Sequence, residues 1–166
     1  MSGPVTIVGY MGSGKSTVGR ILARNLDWNF VDLDHAIVRE AGRSIPEIFA
    51  DSGEEHFRDL EARALDEALS ETNECVIACG GGVIVRAENR ERLRASKTVF
   101  LEEDLDLLYR RTRGRDRPNR SADQKGFEDR YAAREAHYLE VADLRVDARG
   151  RQPEDIAGEI EQWLNA

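Results

Sequence analysis

The chain has 166 residues, 40% of them hydrophobic and 34% charged, which suits one ordinary soluble domain with a real core. A formal net charge of -8 argues against a general nucleic-acid binder, which needs a basic surface. No apolar run is long enough to span a bilayer, and the first one, Pro4 to Val8, leads straight into a glycine loop and not into a leader cleavage site. Cys75 and Cys79 lie on one apolar run and read as small core residues, so a reducing, cytoplasmic setting is expected.

Short apolar runs alternate with helical patterns along the whole chain. The predicted strands are Val5–Val8, Phe30–Leu33, Cys75–Cys79, Thr98–Leu101 and Leu144–Val146, all of the kind that is covered on both faces. Between them the periodicity predicts helices over Lys15–Leu26, Asp34–Ala41, Pro46–Ala50, Glu54–Ser70, Ala87–Ala95, Leu105–Thr112, Phe127–Val141 and Glu154–Trp163. Gln152-Pro153 is a good helix start, because proline is preorganised for the first turn. The alternation implies an α/β fold: a five-stranded parallel sheet with helices on both faces, in one domain spanning residues 1–166. In such sheets ligands gather beyond the carboxyl ends of the strands.

The first strand runs into Gly9-Tyr10-Met11-Gly12-Ser13-Gly14-Lys15-Ser16, a complete G-x-x-x-x-G-K-[ST] loop placed between a strand and a helix. Glycines let consecutive backbone N–H groups point at phosphate oxygens, and the following helix adds its positive end. Gly12, Ser13, Gly14, Lys15, Ser16 and Thr17 are therefore expected to bind the nucleotide. Lys15 reaches the β- and γ-phosphates, and Ser16 offers a hydroxyl to Mg²⁺. This fold and loop together predict a P-loop kinase that uses ATP.

Asp32 and Asp34 close the second strand, two apart, so both can face its carboxyl edge. Such a pair suits Mg²⁺ handling plus a base for a hydroxyl, although Asp34 could equally cap the next helix. On the long middle helix, Phe57, Leu60, Ala64 and Leu65 mark the buried side. Arg58 and Glu61 are three apart there and can touch, either as a surface ion pair or with Glu61 orienting Arg58 toward an anion. The third strand ends in Gly80-Gly81-Gly82, where a ligand or another backbone must approach closely. Arg110, Arg111, Arg113, Arg115, Arg117 and Arg120 then crowd one segment, which reads as a phosphate-facing lid over about residues 113–125. Few apolar anchors oppose its entropy, so a mobile lid is expected.

The combination of Arg58, Glu61, Leu65, Val76-Ile77-Ala78-Cys79-Gly80-Gly81-Gly82 and Val83-Ile84 resembles the shikimate kinase pattern in full. Phe30-Val-Asp-Leu-Asp34, Ser44-Ile-Pro-Glu-Ile-Phe49, Arg117-Pro118, and Arg134 followed by Tyr138-Leu-Glu-Val-Ala142 extend the resemblance over nearly the whole chain. It implies phosphorylation of shikimate at its 3-hydroxyl, with ADP as coproduct, in aromatic amino acid biosynthesis. On this resemblance Asp34 binds the shikimate hydroxyls and acts as base, and Asp32 holds Mg²⁺. Arg58 and Arg134 grip the carboxylate, and the Gly80 and Gly81 backbone meets the hydroxyls. Phe49 and Phe57 form apolar walls, and Arg117 reaches the transferring phosphate. Arg111 lies against adenine, with Arg110 as the neighbouring alternative. One departure from the family is Asn119-Arg120, where two leucines usually follow Arg117-Pro118. His35, His56 and His137 match no family site and read as surface residues. The rival readings are a P-loop kinase for another small acceptor such as gluconate, a nucleobase-recognising nucleotide kinase, and a non-enzymatic nucleotide-binding module. ATP, ADP and shikimate are the expected partners, with no nucleic acid and no membrane, and a monomer is the expected state.

Overall fold

The computed structural model describes residues 3–71, 74–113 and 123–166. Five strands, β1 (Val5–Val8), β2 (Asn29–Asp32), β3 (Cys75–Ala78), β4 (Lys97–Glu102) and β5 (Leu144–Asp147), form one sheet in the order β2-β3-β1-β4-β5. Every neighbouring pair is parallel. The helices are α1 (Lys15–Leu26), α2 (Leu33–Ala41), α3 (Ile45–Glu71), α4 (Ala87–Ala95), α5 (Leu105–Thr112), α6 (Gln124–Val141) and α7 (Pro153–Asn165).

The central strands alternate sides, as a period of two demands. Val5 and Ile7 of β1 join Val99 and Leu101 of β4 under α1 and α7, where Leu22, Ile156 and Ile160 complete one core. Val8, Ile77 and Phe100 face the other way, into a second core closed by Ile37, Leu65, Leu93, Phe127 and Tyr138. The expected sheet with helices on both faces is therefore present. Both edge strands are half-exposed, unlike the buried central three.

Several boundaries differ from the sequence expectation for local reasons. Strand β2 stops at Asp32, because that carboxylate accepts a hydrogen bond from His35 N (3.3 Å) and so caps α2. Asp34 is thus in the first turn of α2 and not at a strand end. The two helices expected over Pro46–Ala50 and Glu54–Ser70 are both present within α3 and meet at Gly53, whose φ of 81° and ψ of 172° separate them. Helix α6 begins at Gln124, because Asp123 caps it through Gly126 N (2.7 Å), three residues before the first apolar anchor, Phe127. Gln124 and Lys125 are consequently helix and not lid. The rest of the expected lid beyond Arg113, residues 114–122 with Arg115, Arg117 and Arg120, lies outside the described residues. No helix among the described residues is long and apolar enough to cross a membrane.

At the amino end of the sheet the core contains hydroxyls. Thr6 and Thr98, on adjacent strands β1 and β4, share a 2.6 Å hydrogen bond, and Thr98 also donates to Leu93 O (2.8 Å). Both threonines are fully buried, so these bonds replace water. Thr98→Val keeps the shape and leaves Thr6 short of its shortest partner. We expect a stability loss of about 1–3 kcal/mol in urea unfolding, with turnover unchanged because the strand's other end carries the site. A normal unfolding midpoint would remove the hydroxyl pair from the stability of the fold.

Candidate active site

The register puts the carboxyl ends of three strands level. Asp32 of β2 pairs with Ala78 of β3, and Ala78 pairs with Ile7 of β1. The segments that follow, Gly9–Gly14, Leu33–Asp34 and Cys79–Gly82, therefore open onto one edge. They frame a cleft of about 370 Å³ whose lining includes Lys15, Ser16, Asp32, Asp34, Gly80 and Gly81.

In the glycine loop, Gly14 adopts φ 90°, a left-handed turn that starts α1 without a side-chain cap. The N-terminal N–H groups of α1 are thus left for a ligand. Lys15 is buried and folds back over its own loop, with Nζ donating to Gly9 O (2.7 Å) and Tyr10 O (2.9 Å). Gly12, Gly14, Lys15, Ser16 and Thr17 all line the cleft, while Ser13 is buried behind them. The Ser16 hydroxyl donates to Asp32 Oδ2 at 2.6 Å. Asp32 thus both caps α2 and meets the phosphate loop. This hydroxyl and carboxylate are hard oxygen donors suited to Mg²⁺, which keeps several waters and uses few protein ligands.

Arg111, the second arginine of its pair, reaches this cleft. Its Nη1 donates to Gly12 O (3.0 Å) and lies 3.8 Å from buried Glu103. Arg110 does not line the cleft. Pro153 does, although its sequence context signalled only a helix start. Cys79 lines it as well, a position expected to serve the core alone. Its thiol is 3% exposed, and burial pushes its ionisation well above the usual thiol range, with Glu61 adding to the shift, so it stays a neutral S–H wall.

Behind the glycines lies a charged cluster. Arg58 is 4% and Glu61 1% exposed, and Arg58 Nη1 donates to Glu61 Oε1 at 2.8 Å. The pair is therefore not a surface bridge. A side chain at Gly82 would put its Cβ 2.4 Å from Arg58 Nη1, so the guanidinium lies directly on that glycine. At Gly80 a Cβ would stand 3.0 Å from Asp34 Oδ1 and 3.2 Å from Glu61 Oε2, and at Gly81 it would stand 3.2 Å from Met11 N. The two glycine segments are thus in backbone contact. Burial raises the Glu61 carboxyl above the ordinary range; Arg58 opposes this, and the negative charge of Asp34 adds to it.

Arg134, on α6, is 9% exposed, and no ion pair to it forms among the described residues. Its positive charge is felt at Tyr138, whose hydroxyl donates to Gly81 O. Its Cζ stands 5.9 Å from the Tyr10 ring centroid, and its positive charge is felt at Glu61. Phe49 and Phe57 pack at 4.8 Å between centroids, with Arg58 over the Phe57 ring. Neither Arg58 nor Arg134 lines the phosphate cleft itself; they belong to the region behind it. Arg117 lies outside the described residues. His35 and His56 are exposed and His137 pairs with Glu140, all away from the cleft lining.

The burial contrast between the two partners of Arg58 has a measurable consequence. Glu54 also meets Arg58 (3.3 Å), but its side chain is 57% exposed. Glu61→Ala strands a buried guanidinium and should destabilise the fold by about 3–5 kcal/mol. Glu54→Ala should cost less than about 1 kcal/mol. Equal losses in denaturant unfolding would contradict the assignment of Glu61 as the internal brace.

A family model described as shikimate kinase matches residues 11–165. Curated shikimate kinases include one from Geobacter metallireducens, 43% identical over 96% of this chain and 90% of its own length. Another, from Persephonella marina, is 38% identical over 94% of this chain and 95% of its own length. Among solved structures, the shikimate kinase of Acinetobacter baumannii in complex with shikimate superposes with a TM-score of 0.93 at 36% identity, covering 98% of this chain and 93% of that one. On a family match over almost all of its length, and on a fold and glycine segments that agree with it, the chain belongs to the shikimate kinase family.

Proposed function

We propose that this chain transfers the γ-phosphoryl group of ATP to the 3-hydroxyl of shikimate, giving shikimate 3-phosphate and ADP. The observation that carries this reading is the shared wall between the two half-sites. The phosphate loop touches Gly81 through Met11 N, while Asp34 and Glu61 stand over Gly80 and Arg58 over Gly82. A phosphate held by the loop and a hydroxyl held by the second glycine segment therefore meet without intervening side chains.

The acceptor oxygen attacks phosphorus as the bond to ADP breaks, and the hydroxyl proton passes toward Asp34. Asp34 lines the cleft beside Gly80 and is the carboxylate placed for this step. Lys15 exchanges its two backbone carbonyl partners for phosphate oxygens, which carry more negative charge. Ser16 and Asp32 would hold Mg²⁺, which when bound neutralises charge on the β- and γ-oxygens. Arg111 and Pro153 face the same cleft and suit the two sides of a planar base. Arg134, without an acidic partner among the described residues, and Arg58 supply guanidinium forks for the acceptor carboxylate. Arg117 is assigned to the transferring phosphate on family resemblance.

The deciding experiment is a phosphate-acceptor assay with purified protein, ATP and Mg²⁺ across shikimate, gluconate and nucleoside monophosphates. Turnover of shikimate alone is expected. In the same assay Lys15→Ala should lower kcat on the order of 10²-fold or more, and Asp34→Asn should lower kcat strongly with ATP binding nearly intact. A preference for gluconate or a nucleotide would overturn the acceptor assignment.

Gly82 and Arg134 test the carboxylate site. Gly82→Ala drives a methyl into the Arg58 guanidinium, and Arg134→Ala removes an acceptor fork. Each should raise the shikimate KM roughly ten- to a hundredfold, more than the ATP KM. If KM for ATP rises in parallel, these residues serve the fold and not the acceptor.

A further inference from the structure

Strand β4 ends at Glu102, and the next residue, Glu103, turns its carboxylate inward. Its side chain is 5% exposed. A carboxylate so far from water needs partners within the protein. Among the described residues Glu103 has two. Its Oε1 accepts from Asp104 N at 3.0 Å, and its Oε2 lies 3.8 Å from Arg111 Nη1. The first contact fixes the carboxylate at the connection between β4 and α5. The second reaches the last turn of α5, where Arg111 stands.

Arg111 is a side chain that needs such a restraint. It is 42% exposed, sits on a long flexible stem, and lines the same cleft as Lys15 and Ser16. Its Nη1 also donates to Gly12 O (3.0 Å). One nitrogen of the guanidinium is thus held between a loop carbonyl and a buried carboxylate. No other hydrogen bond or ion pair of Arg111 forms among the described residues, so the rest of the fork is left for a ligand. An arginine beside a phosphate loop is ordinarily drawn onto the phosphates themselves. Here a counter-charge is already in place, and Glu103 supplies it from outside the cleft lining.

We propose that Glu103 is a positioning residue for nucleotide recognition: it holds Arg111 at the edge of the phosphate loop, so that the guanidinium meets the base of the nucleotide and not its phosphates. This rests on the reading above that Arg111 and Pro153 take the two sides of the base. It is independent of which acceptor the protein uses.

The test compares ADP with inorganic pyrophosphate, which has the same two phosphates and lacks the base. Both affinities are measured with Mg²⁺ and without acceptor, ADP by titration calorimetry and pyrophosphate by competition against it. Glu103→Gln keeps the shape and removes the charge. It should weaken ADP about fivefold, as suits a half-exposed ion pair, and leave pyrophosphate unchanged or tighter. Should Glu103→Gln fold poorly, Glu103→Met fills a similar volume without charge and the same ratio is read from it. Arg111→Ala should weaken ADP on the order of tenfold. In the Arg111→Ala background, Glu103→Gln should then add no further loss, because its effect passes through Arg111. ADP affinity unchanged or tighter in Glu103→Gln overturns the role of Glu103. So does an equal loss for ADP and pyrophosphate, or the same ADP loss with and without Arg111. If Arg111→Ala leaves ADP binding intact, the base assignment of Arg111 fails, and Glu103 with it.

Discussion

The ion pair between Arg58 and Glu61 is closed inside the protein, and much of the acceptor region is arranged around it. Two charges with almost no exposure are held there as a pair, although Arg58 Nε finds no hydrogen-bond partner among the described residues. Glu61 meets Arg58 at 2.8 Å, and the guanidinium fork lies against Gly82, where a Cβ would stand 2.4 Å from Nη1 and 2.6 Å from Nη2. Any side chain at Gly82 would displace it. Tyr138, from α6, then fixes the same segment through Gly81 O. The pair therefore ties α3 to the loop after β3, and Tyr138 ties that loop to α6. Its net contribution to stability is small, since a well-packed apolar pair would serve as well. What it secures is the orientation of a charged fork that an apolar pair could not present.

The phosphate loop is coupled to this arrangement through backbone and one aromatic ring. Met11 N lies against Gly81, and Arg134 of α6 stands over the Tyr10 ring. On its other flank the loop meets α5. Arg111 donates to Gly12 O, and a Cβ at Gly12 would stand 3.1 Å from Thr112. Thr112 is fully buried and donates to Leu108 O, so the end of α5 is anchored just before residue 114. A movement at either flank is thus transmitted to the loop by contact, without a long chain of intermediates.

The alternation of short apolar runs with helical patterns made the sheet and its helices legible, and the glycine loop was unambiguous in that frame. Strand and helix ends were less legible, because polar caps decide them: Asp32 ended β2 and Asp123 began α6, each ahead of or behind the apolar pattern. Asp32 and Asp34 do share the cleft, but through a strand end and a helix turn and not through strand alternation. The spacing of Arg58 and Glu61 showed that they could touch and could not show that they are buried, since i,i+3 pairs are usually found on helix surfaces. Tyr10, Cys79 and Pro153 carried no sequence signal of their own as site residues. Their place depends on how α6, β3 and α7 meet the phosphate loop, which is a tertiary fact.

A net charge of -8 is compatible with the cationic acceptor site proposed above, because local pairing and not total charge sets the field there. Surface carboxylates are largely answered by surface arginines, as Glu140 is by Arg90 and Arg94, or Asp59 by Arg86. Arg134 forms no such ion pair among the described residues and is 9% exposed. Charge discrimination follows from that state. In the proposed role, a neutral polyol of the right shape would leave that guanidinium without the acceptor carboxylate that pairs with it. Sites built to pair a polar group reject analogues lacking it far more strongly than apolar pockets reject a missing methylene. On the proposed assignment, selectivity for an acid comes less from the strength of its own contacts than from what any uncharged competitor leaves unsatisfied.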